Sequence, residues 1–121
     1  MKPGPPERTA LVTGGSRGIG AAIVQALACD GCRVAFNHWQ DPGGAAEVVS
    51  RLQDLGHGCL AVETDVSDLE AAERMVARVV EELGRLDLLI CNAGVPADRA
   101  VWNMTEGEWD RVIAVNLKGC F

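Results

Sequence analysis

Four glycines and one arginine stand close together near the start of the chain, with a spacing that suits the binding of an anion. Residues 13–20 read Thr-Gly-Gly-Ser-Arg-Gly-Ile-Gly. Glycine allows positive φ angles and lets the backbone approach a ligand closely. A helix that begins directly after such a turn offers free N–H groups and the positive end of its dipole. These residue types in this order therefore predict a loop that binds the phosphates of a dinucleotide.

The segments on either side of the glycines agree with that prediction. An apolar run at residues 10–12 reads as a strand, and Ile19, Ile23 and Leu27 follow at helical spacing. The spacing G-x-x-x-G-x-G differs from the common dinucleotide fingerprint G-x-G-x-x-G. Glycines also mark ordinary tight turns, so a purely structural turn remains an alternative at this point.

The rest of the chain alternates strands with helices. Apolar strands are predicted at residues 33–36, 59–62 and 88–91, separated by helical patterns. An S-x-x-E capping box at Ser67 and a T-x-x-E capping box at Thr105 predict the starts of the last two helices. The order βαβαβαβ followed by a helix requires right-handed crossovers and a parallel sheet covered on both faces. The fold class is therefore α/β, a doubly wound parallel sheet.

Length and charge limit the remaining possibilities. The chain has 121 residues, which suffices for one domain, and its net charge of −6 argues against nucleic acid or an anionic membrane as a partner. No apolar stretch is long enough to span a membrane. Residues 1–8 are rich in proline and are predicted to be a disordered lead-in to a domain at 9–121.

Five cysteines at scattered positions suit buried free thiols of a reducing compartment, which predicts a cytoplasmic protein. Cys29 and Cys32 form a C-x-x-C pair, but a redox pair is expected at a helix N-terminus and this one falls where a helix should end. No His or Cys pair completes a zinc site, so we predict no metal.

Four motifs in the right order carry a resemblance over residues 9–121. Residues 13–20 match T-G-x-x-x-G-x-G, Asp65-Val66 follow the third strand, residues 91–94 read Cys-Asn-Ala-Gly, and residues 115–121 read Val-Asn-Leu-Lys-Gly-Cys-Phe. Together they resemble the short-chain dehydrogenase/reductase family, and within it the 3-oxoacyl-[acyl-carrier-protein] and acetoacetyl-CoA reductases. The resemblance implies a Rossmann-type sheet of which this chain contains four strands and the following helix.

The resemblance also implies roles for particular residues. The glycine loop would hold the pyrophosphate, Asp65 and Val66 the adenine, and residues 92–94 the nicotinamide ribose. Cys91 replaces the family's first Asn and is expected to point into the core. The cofactor-binding candidates are Gly14, Gly15, Ser16, Arg17, Gly18, Ile19, Gly20, Asn37, His38, Asp65, Val66, Asn92, Ala93 and Gly94. Plain alternatives remain: Asp65 as a loop acid near the next helix, and Arg17 as a solvated charge.

The second strand predicts which dinucleotide is bound. A ribose 2′-hydroxyl is usually held by an acidic residue at the end of that strand. Here the strand ends Phe-Asn-His-Trp at residues 36–39, and Asp41 is expected to lie too far along the loop. Arg17 can pair with a 2′-phosphate, so NADP is favoured over NAD. His38 and His57 are expected in loops at the surface.

The chemistry itself depends on residues that this sequence does not contain. The resemblance implies reduction of a ketone, of which a 3-oxoacyl thioester is the favoured example, with Asn116 as the catalytic Asn on the inner side of the last helix. A helix-packing role for Asn116 is the alternative. The family's proton donor is a Tyr in Tyr-x-x-x-Lys, and the chain has no Tyr.

We therefore interpret the chain as the N-terminal half of an NADP(H)-dependent reductase of fatty acid biosynthesis. The half alone is predicted to be inactive, because it lacks the family's Ser and Tyr-x-x-x-Lys. It is also predicted to be poorly soluble, because its fourth strand leaves an open apolar edge. The resemblance implies a homotetramer for the full-length protein. A catalytically silent dinucleotide-binding sensor or scaffold is the alternative function.

Overall fold

The computed structural model describes residues 7–95 and 100–121, and its strands and helices alternate along the chain. Four parallel strands form one sheet in the order β3-β2-β1-β4. The predicted α/β class and parallel sheet are confirmed. The elements are β1 (Thr9–Val12), α1 (Gly18–Cys29), β2 (Arg33–His38), α2 (Pro42–Asp54), β3 (Cys59–Glu63), α3 (Leu69–Leu83), β4 (Leu88–Ile90) and α4 (Glu106–Val112).

Helices cover both faces of the sheet and bury two apolar clusters. One cluster packs α1 and α2 against the side chains of Val12, Val34 and Phe36. The other packs α3 and Val115 against Leu11, Ala35 and Val62 on the opposite face. Strand β1 lies between β2 and β4 and is buried along its whole length, as expected for the central strand of a doubly wound sheet.

Helix ends follow capping rules, with one correction. Thr105 accepts from the backbone N–H of Glu108 at 3.1 Å, so the predicted cap of α4 is confirmed. The prediction that Ser67 caps α3 is wrong: Asp68 accepts from the N–H of Ala71 at 3.2 Å, and Ser67 bonds to Asp65 instead. Asp is as good an N-cap as Ser, and two adjacent candidates cannot be separated by spacing alone.

The cysteines depart from expectation, since none of the five is buried. Cys91 is exposed, although it was expected in the core. Strand β4 is the edge of the sheet, and Leu89, on the same side of that strand as Cys91, is 50% exposed. Position along an apolar run therefore does not determine burial when the strand lies at an edge.

The chain after α4 widens into a π-helical turn at Ile113–Leu117 and then a short 3₁₀ turn at Lys118–Cys120. A π turn holds an extra residue and shifts the phase of the side chains that follow it. Val115 is thereby buried, while Asn116 is exposed. The expectation that Asn116 lies on the inner side of this helix is corrected.

Of the predicted lead-in, the structure describes Glu7 and Arg8, which are exposed and directly precede β1. The backbone carbonyl of Arg8 accepts a hydrogen bond from the N–H of Arg33 at 2.8 Å. The predicted lead-in at 1–8 thus falls largely outside the described residues. None of the described helices is both long enough and apolar enough to cross a membrane.

Candidate functional site

The glycine loop between β1 and α1 adopts a conformation that larger residues would not fit. Gly14 and Gly18 have φ angles of +69° and +58°. A Cβ on Gly14 would lie 2.9 Å from Cα of Ala93, and a Cβ on Gly20 would lie 2.5 Å from Nδ2 of Asn92 and still closer to the carbonyl oxygen of Gly14. These glycines therefore bring the start of α1, the loop and residues 92–93 into direct contact.

Helix α1 begins at Gly18 without a side-chain cap from its N-cap residue, Arg17. The first N–H groups of a helix have no intrahelical acceptor. An anion placed at this end would receive hydrogen bonds from the N–H groups and be stabilised by the helix dipole. The loop has the chemistry that phosphate binding requires.

Thr13 joins the glycine loop to the end of β4. Its Oγ1 accepts from the N–H groups of Asn92 and Ala93, both at 3.0 Å. The Asn92 side chain donates back to the carbonyl of Gly14 at 3.1 Å. Thr13 was not among the site candidates, although its place directly before the glycines could have indicated this role.

Asn37 supports the loop from β2. Its Oδ1 accepts from the N–H of Gly14 at 2.7 Å, and its Nδ2 donates to the carbonyl of Thr64 at 2.8 Å. The side chain is 2% exposed, and both ends of its amide are used within the protein. Asn37 therefore shapes the cleft by fixing Gly14 and the end of β3.

His38 is also placed differently from the expectation. It is the last residue of β2 and only 8% exposed, not a surface loop residue. Its Nδ1 accepts from the N–H of Asp41 at 3.3 Å and lies 4.0 Å from a carboxylate oxygen of Glu63. The strand runs two residues further than predicted because Asn37 and His38 pair with Val62 and Glu63 of β3.

Asp41 reaches the glycine loop, which corrects the expectation that it lies too far along its own loop. Gln40, with a φ angle of +56°, turns the chain back toward the cleft. The Asp41 carboxylate accepts from Oγ of Ser16 at 2.7 Å, and its Oδ1 lies 2.7 Å from an Nη of Arg17. Hydrogen bonds from Arg17 and then Ser16 hold the pKa of the Asp41 carboxyl well below its ordinary value.

Asp65 lies across the cleft in a second carboxylate–guanidinium pair. Its Oδ1 accepts from the backbone and hydroxyl of Ser67 at 3.0 and 2.6 Å, and its Oδ2 from Arg111 at 3.2 Å. Partial burial raises the pKa of Asp65, but the hydrogen bonds from Ser67 and Arg111 outweigh it, so the net pKa is lowered. Asp65 is therefore a charged acceptor at neutral pH.

Asn116 contacts the segment that follows β4. Its Oδ1 accepts from the N–H of Val95 at 2.8 Å, and its Nδ2 donates to the carbonyl of the same residue at 3.1 Å. A Cβ on Gly94 would lie 3.3 Å from that Oδ1. Asn116 thus holds residues 94–95 in place beside the cleft.

These groups surround one cleft of about 500 Å³ at the carboxyl ends of the strands. In open α/β sheets this is the edge where ligands bind. The cleft unites ten of the predicted site residues: Gly14, Ser16, Arg17, Asn37, His38, Asp65, Val66, Asn92, Ala93 and Gly94. Five predicted residues do not line it: Gly15, Gly18, Ile19, Gly20 and Asn116.

Of the five others, Gly15 packs on Phe36 and Gly20 on Gly14, so both act behind the cleft surface. Gly18 and Ile19 form the start of α1, where Ile19 is 75% exposed, and Asn116 bonds to Val95 beside the cleft. The cleft is also lined by residues that sequence reasoning did not select: Trp39, Gln40, Asp41, Thr64, Val95, Arg111 and Val115. Within residues 7–95 and 100–121, no three His, Cys, Asp or Glu side chains are placed to hold a metal ion.

Comparison with known proteins agrees with this geometry. A sequence profile of the short chain dehydrogenase family matches residues 8–121. Nodulation protein G of Azospirillum brasilense is 43% identical over 115 residues, which cover 95% of this chain and 47% of that protein. The 3-oxoacyl-[acyl-carrier-protein] reductase FabG of Staphylococcus aureus is 41% identical over 114 residues, 94% of this chain and 46% of the reductase.

A solved structure shows the same fold. A short chain dehydrogenase from Burkholderia cenocepacia in complex with NADP superimposes with a TM-score of 0.88 and is 40% identical, over 93% of this chain and 46% of that one. The chain therefore spans about half the length of each of these relatives.

Proposed function

Because the chain belongs to the short chain dehydrogenase family of oxidoreductases, we propose that its cleft binds NADP(H) and serves the interconversion of a ketone and a secondary alcohol. The observation that carries the proposal is the glycine loop, in which Gly14, Ser16 and Arg17 line the cleft directly before the uncapped start of α1. A 3-oxoacyl thioester is the favoured substrate, supported by the similarity to a 3-oxoacyl-[acyl-carrier-protein] reductase. That substrate would place the protein in fatty acid biosynthesis.

The residues present fit a dinucleotide. At Gly14 and Gly20 an added Cβ would collide with backbone or side-chain atoms, so only glycine lets the loop, the start of α1 and residues 92–93 pack this closely beneath the proposed pyrophosphate. The cleft of about 500 Å³ lies within the range of volumes that ligand pockets have. Asp65 at one end of the cleft is a charged acceptor suited to the amino group of an adenine.

The candidates divide between binding and support in this proposal. The glycines of the loop hold the pyrophosphate, Ser16 and Arg17 reach the adenosine ribose, Asp65 and Val66 hold the adenine, and residues 92–94 the nicotinamide ribose. When bound and reduced, the dinucleotide supplies a hydride. Thr13 and Asn37 hold the loop and the end of β4 in register, since both bond to backbone groups on neighbouring strands.

Two observations support NADP over NAD. Strand β2 ends in Asn37 and His38 without a carboxylate, and Arg17 lies at the cleft with its side chain 78% exposed. A guanidinium pairs well with a phosphate. The similar Burkholderia cenocepacia dehydrogenase was solved in complex with NADP.

The proposed catalysis needs more than this chain contains. The chain has no Tyr, so it lacks the family's expected proton donor, and Asn116 is the one catalytic candidate within it. We therefore expect cofactor binding without turnover from the 121 residues alone. A dinucleotide-binding sensor or scaffold without catalysis is the second candidate function.

Titration of the purified chain with NADP⁺ and NAD⁺ tests the binding proposal. We expect tighter binding of NADP⁺, and we expect Arg17→Ala to weaken NADP⁺ binding while leaving NAD⁺ binding within about twofold. Equal affinities in the unaltered chain would contradict the preference. Oxidation of NADPH by acetoacetyl-CoA, catalysed by the 121 residues, would contradict the expected inactivity.

The proposal extends to assembly and location. A homotetramer of the whole protein is supported by apolar side chains exposed along α4 and the turn after it, among them Trp109 at 57% and Leu117 at 67%. The open edge of β4, with Leu89 half-exposed, supports poor solubility of the chain by itself. Five unpaired thiols are in keeping with the cytoplasm.

A further inference from the structure

The carboxylate of Asp41 is paired with the guanidinium of Arg17, which the proposed function assigns to the 2′-phosphate of the cofactor. Arg17 approaches Asp41 through two nitrogens, with Nε 3.0 Å from Oδ2 and an Nη 2.7 Å from Oδ1. This two-point geometry is the one by which arginine also recognises a phosphate. The Nε–Nη edge of the guanidinium is therefore taken by Asp41, and a phosphate would either displace the carboxylate from that edge or bind at the remaining Nη edge of a guanidinium whose charge is already compensated.

Asp41 is the fixed partner and Arg17 the movable one. The Asp41 carboxylate accepts from the N–H of Gly44 at 3.2 Å and from the hydroxyl of Ser16 at 2.7 Å, while its own N–H donates to His38. Its side chain is 16% exposed, whereas that of Arg17 is 78% exposed. A ligand arriving in the cleft would thus move Arg17 and leave Asp41 where it is.

Each arginine among the described residues of the cleft is already paired with a carboxylate. Among the described residues that line the cleft, the side chains that always carry a positive charge are Arg17 and Arg111. Arg111 is paired with Asp65 at 3.2 Å, as Arg17 is with Asp41. A phosphate on the ribose 2′ position would meet a guanidinium whose charge a carboxylate already compensates, whereas a neutral 2′-hydroxyl has no need of an uncompensated cation.

We propose that Asp41 is a specificity-determining residue that weakens the preference for a 2′-phosphate by competing for Arg17. This inference rests on the proposed function, because it assumes that a dinucleotide binds in the cleft. Compensation of the Arg17 charge by Asp41 reduces the binding free energy of NADP(H) and leaves that of NAD(H) unchanged. The discrimination between the two is therefore set by the pair and not by Arg17 alone.

Asp41→Asn is the informative variant, because Asn keeps the N-cap of α2 and removes the charge. The ligands are NADP⁺, NAD⁺, 2′,5′-ADP and 5′-AMP, titrated calorimetrically into the 121-residue chain. We expect the affinities for NADP⁺ and 2′,5′-ADP to rise about two- to fivefold, the range that an exposed ion pair spans. Affinities for NAD⁺ and 5′-AMP should stay within about twofold. Asp41→Ser also keeps an N-cap for α2 and should give the same changes in affinity. It replaces Asp41→Asn if that variant folds poorly.

The same substitution in an Arg17→Ala background separates the mechanisms. If Asp41 acts through Arg17, Asp41→Asn gains nothing there. An equal gain in both backgrounds would mean direct repulsion of the phosphate by Asp41 and would overturn the inference. So would an unchanged ratio of NADP⁺ to NAD⁺ affinity, or a selective loss of NAD⁺ affinity. Failure of the unaltered chain to bind any of the four ligands would overturn the proposed function itself, and the role of Asp41 with it.

Discussion

Asn116 and Val95 are joined in both directions, with the amide oxygen of Asn116 accepting from the Val95 N–H at 2.8 Å and the amide nitrogen donating to the Val95 carbonyl at 3.1 Å. Only a carboxamide has a donor and an acceptor in this arrangement. The pair links the π-helical turn to the segment that follows β4, and it fixes the wall of the cleft at Gly94.

Asn116→Asp should break half of this pair while keeping the shape of the side chain. The new carboxylate oxygen would face the carbonyl of Val95, and two acceptors repel. We expect a loss of about 1 kcal/mol in the free energy of unfolding, the size of a net hydrogen bond, and faster hydrogen exchange at the Val95 amide. Asn103→Asp, at the exposed last residue of the short turn Val101–Asn103, is the control and should leave that exchange rate unchanged. Unaltered exchange in Asn116→Asp would contradict the role given to the pair.

Gly20→Ala should disrupt the glycine loop from behind. Its Cβ would collide with the Gly14 carbonyl and with Asn92, and both are held by neighbouring strands. Overpacking of this kind costs about 1–3 kcal/mol, and urea unfolding at constant m-value would measure it. Gly43→Ala is the matched control, because it also lies near the start of a helix but has open space around it. It should be neutral or stabilising, since Ala favours helix by up to about 1 kcal/mol.

Asp65→Asn should weaken binding of both dinucleotides alike. The substitution removes the charge that bonds to Arg111 and that would accept from an adenine amino group. We expect an affinity loss of about two- to tenfold for NADP⁺, NAD⁺ and 5′-AMP, the range of a net hydrogen bond, with an unchanged ratio between the first two. Asp68→Asn, three residues further on, keeps the cap of α3 and should bind as the unaltered chain does. A change in the ratio would place Asp65 near the 2′ position instead.

Asp87 should make stability depend on acid pH. Hydrogen bonds from Arg85 and from the Thr9 N–H hold the pKa of its carboxyl below the ordinary value. A carboxyl with a lower pKa in the folded state stabilises the fold above its unfolded pKa of about 3.9, and that contribution is lost as the pH falls through the folded value.

Urea midpoints of the unaltered chain and of Asp87→Asn should therefore differ at pH 7 and converge below about pH 4. Arg85→Gln should reproduce part of the difference, because Arg85 supplies the largest share of the shift. A constant gap between the two midpoints from pH 7 to pH 3 would contradict this account.

Local patterns predicted the order of elements well, because each pattern reports a single element. The helical pattern between the third and fourth predicted strands corresponds to α3, and Gly84, with a φ angle of +86°, ends that helix. Which residues of that helix are buried was harder to predict: Val79 is buried, but Leu69 and Val76 are 53% and 38% exposed. Burial depends on what packs against the helix, and spacing alone does not contain that information.

The candidate site shows the same division. The residues of the cleft that follow strands directly, such as Asn92 and Asp65, were predictable because the carboxyl ends of parallel strands share one edge. Asp41 was misplaced because Gln40 turns the chain with a positive φ angle, which is uncommon for a residue other than glycine. Arg111 was missed because it reaches Asp65 from 46 residues away.

The bonds of Thr13 also have a consequence during synthesis. Its hydroxyl accepts from amides 79 and 80 residues later in the chain. At about 5–20 residues per second, a ribosome needs roughly 4–16 s to add that length. The hydrogen bonds from Asn92 and Ala93 to Thr13 can form only after the residues that follow β4 have been synthesised. The proposed cofactor site is thus completed only after the chain has been synthesised through the end of β4.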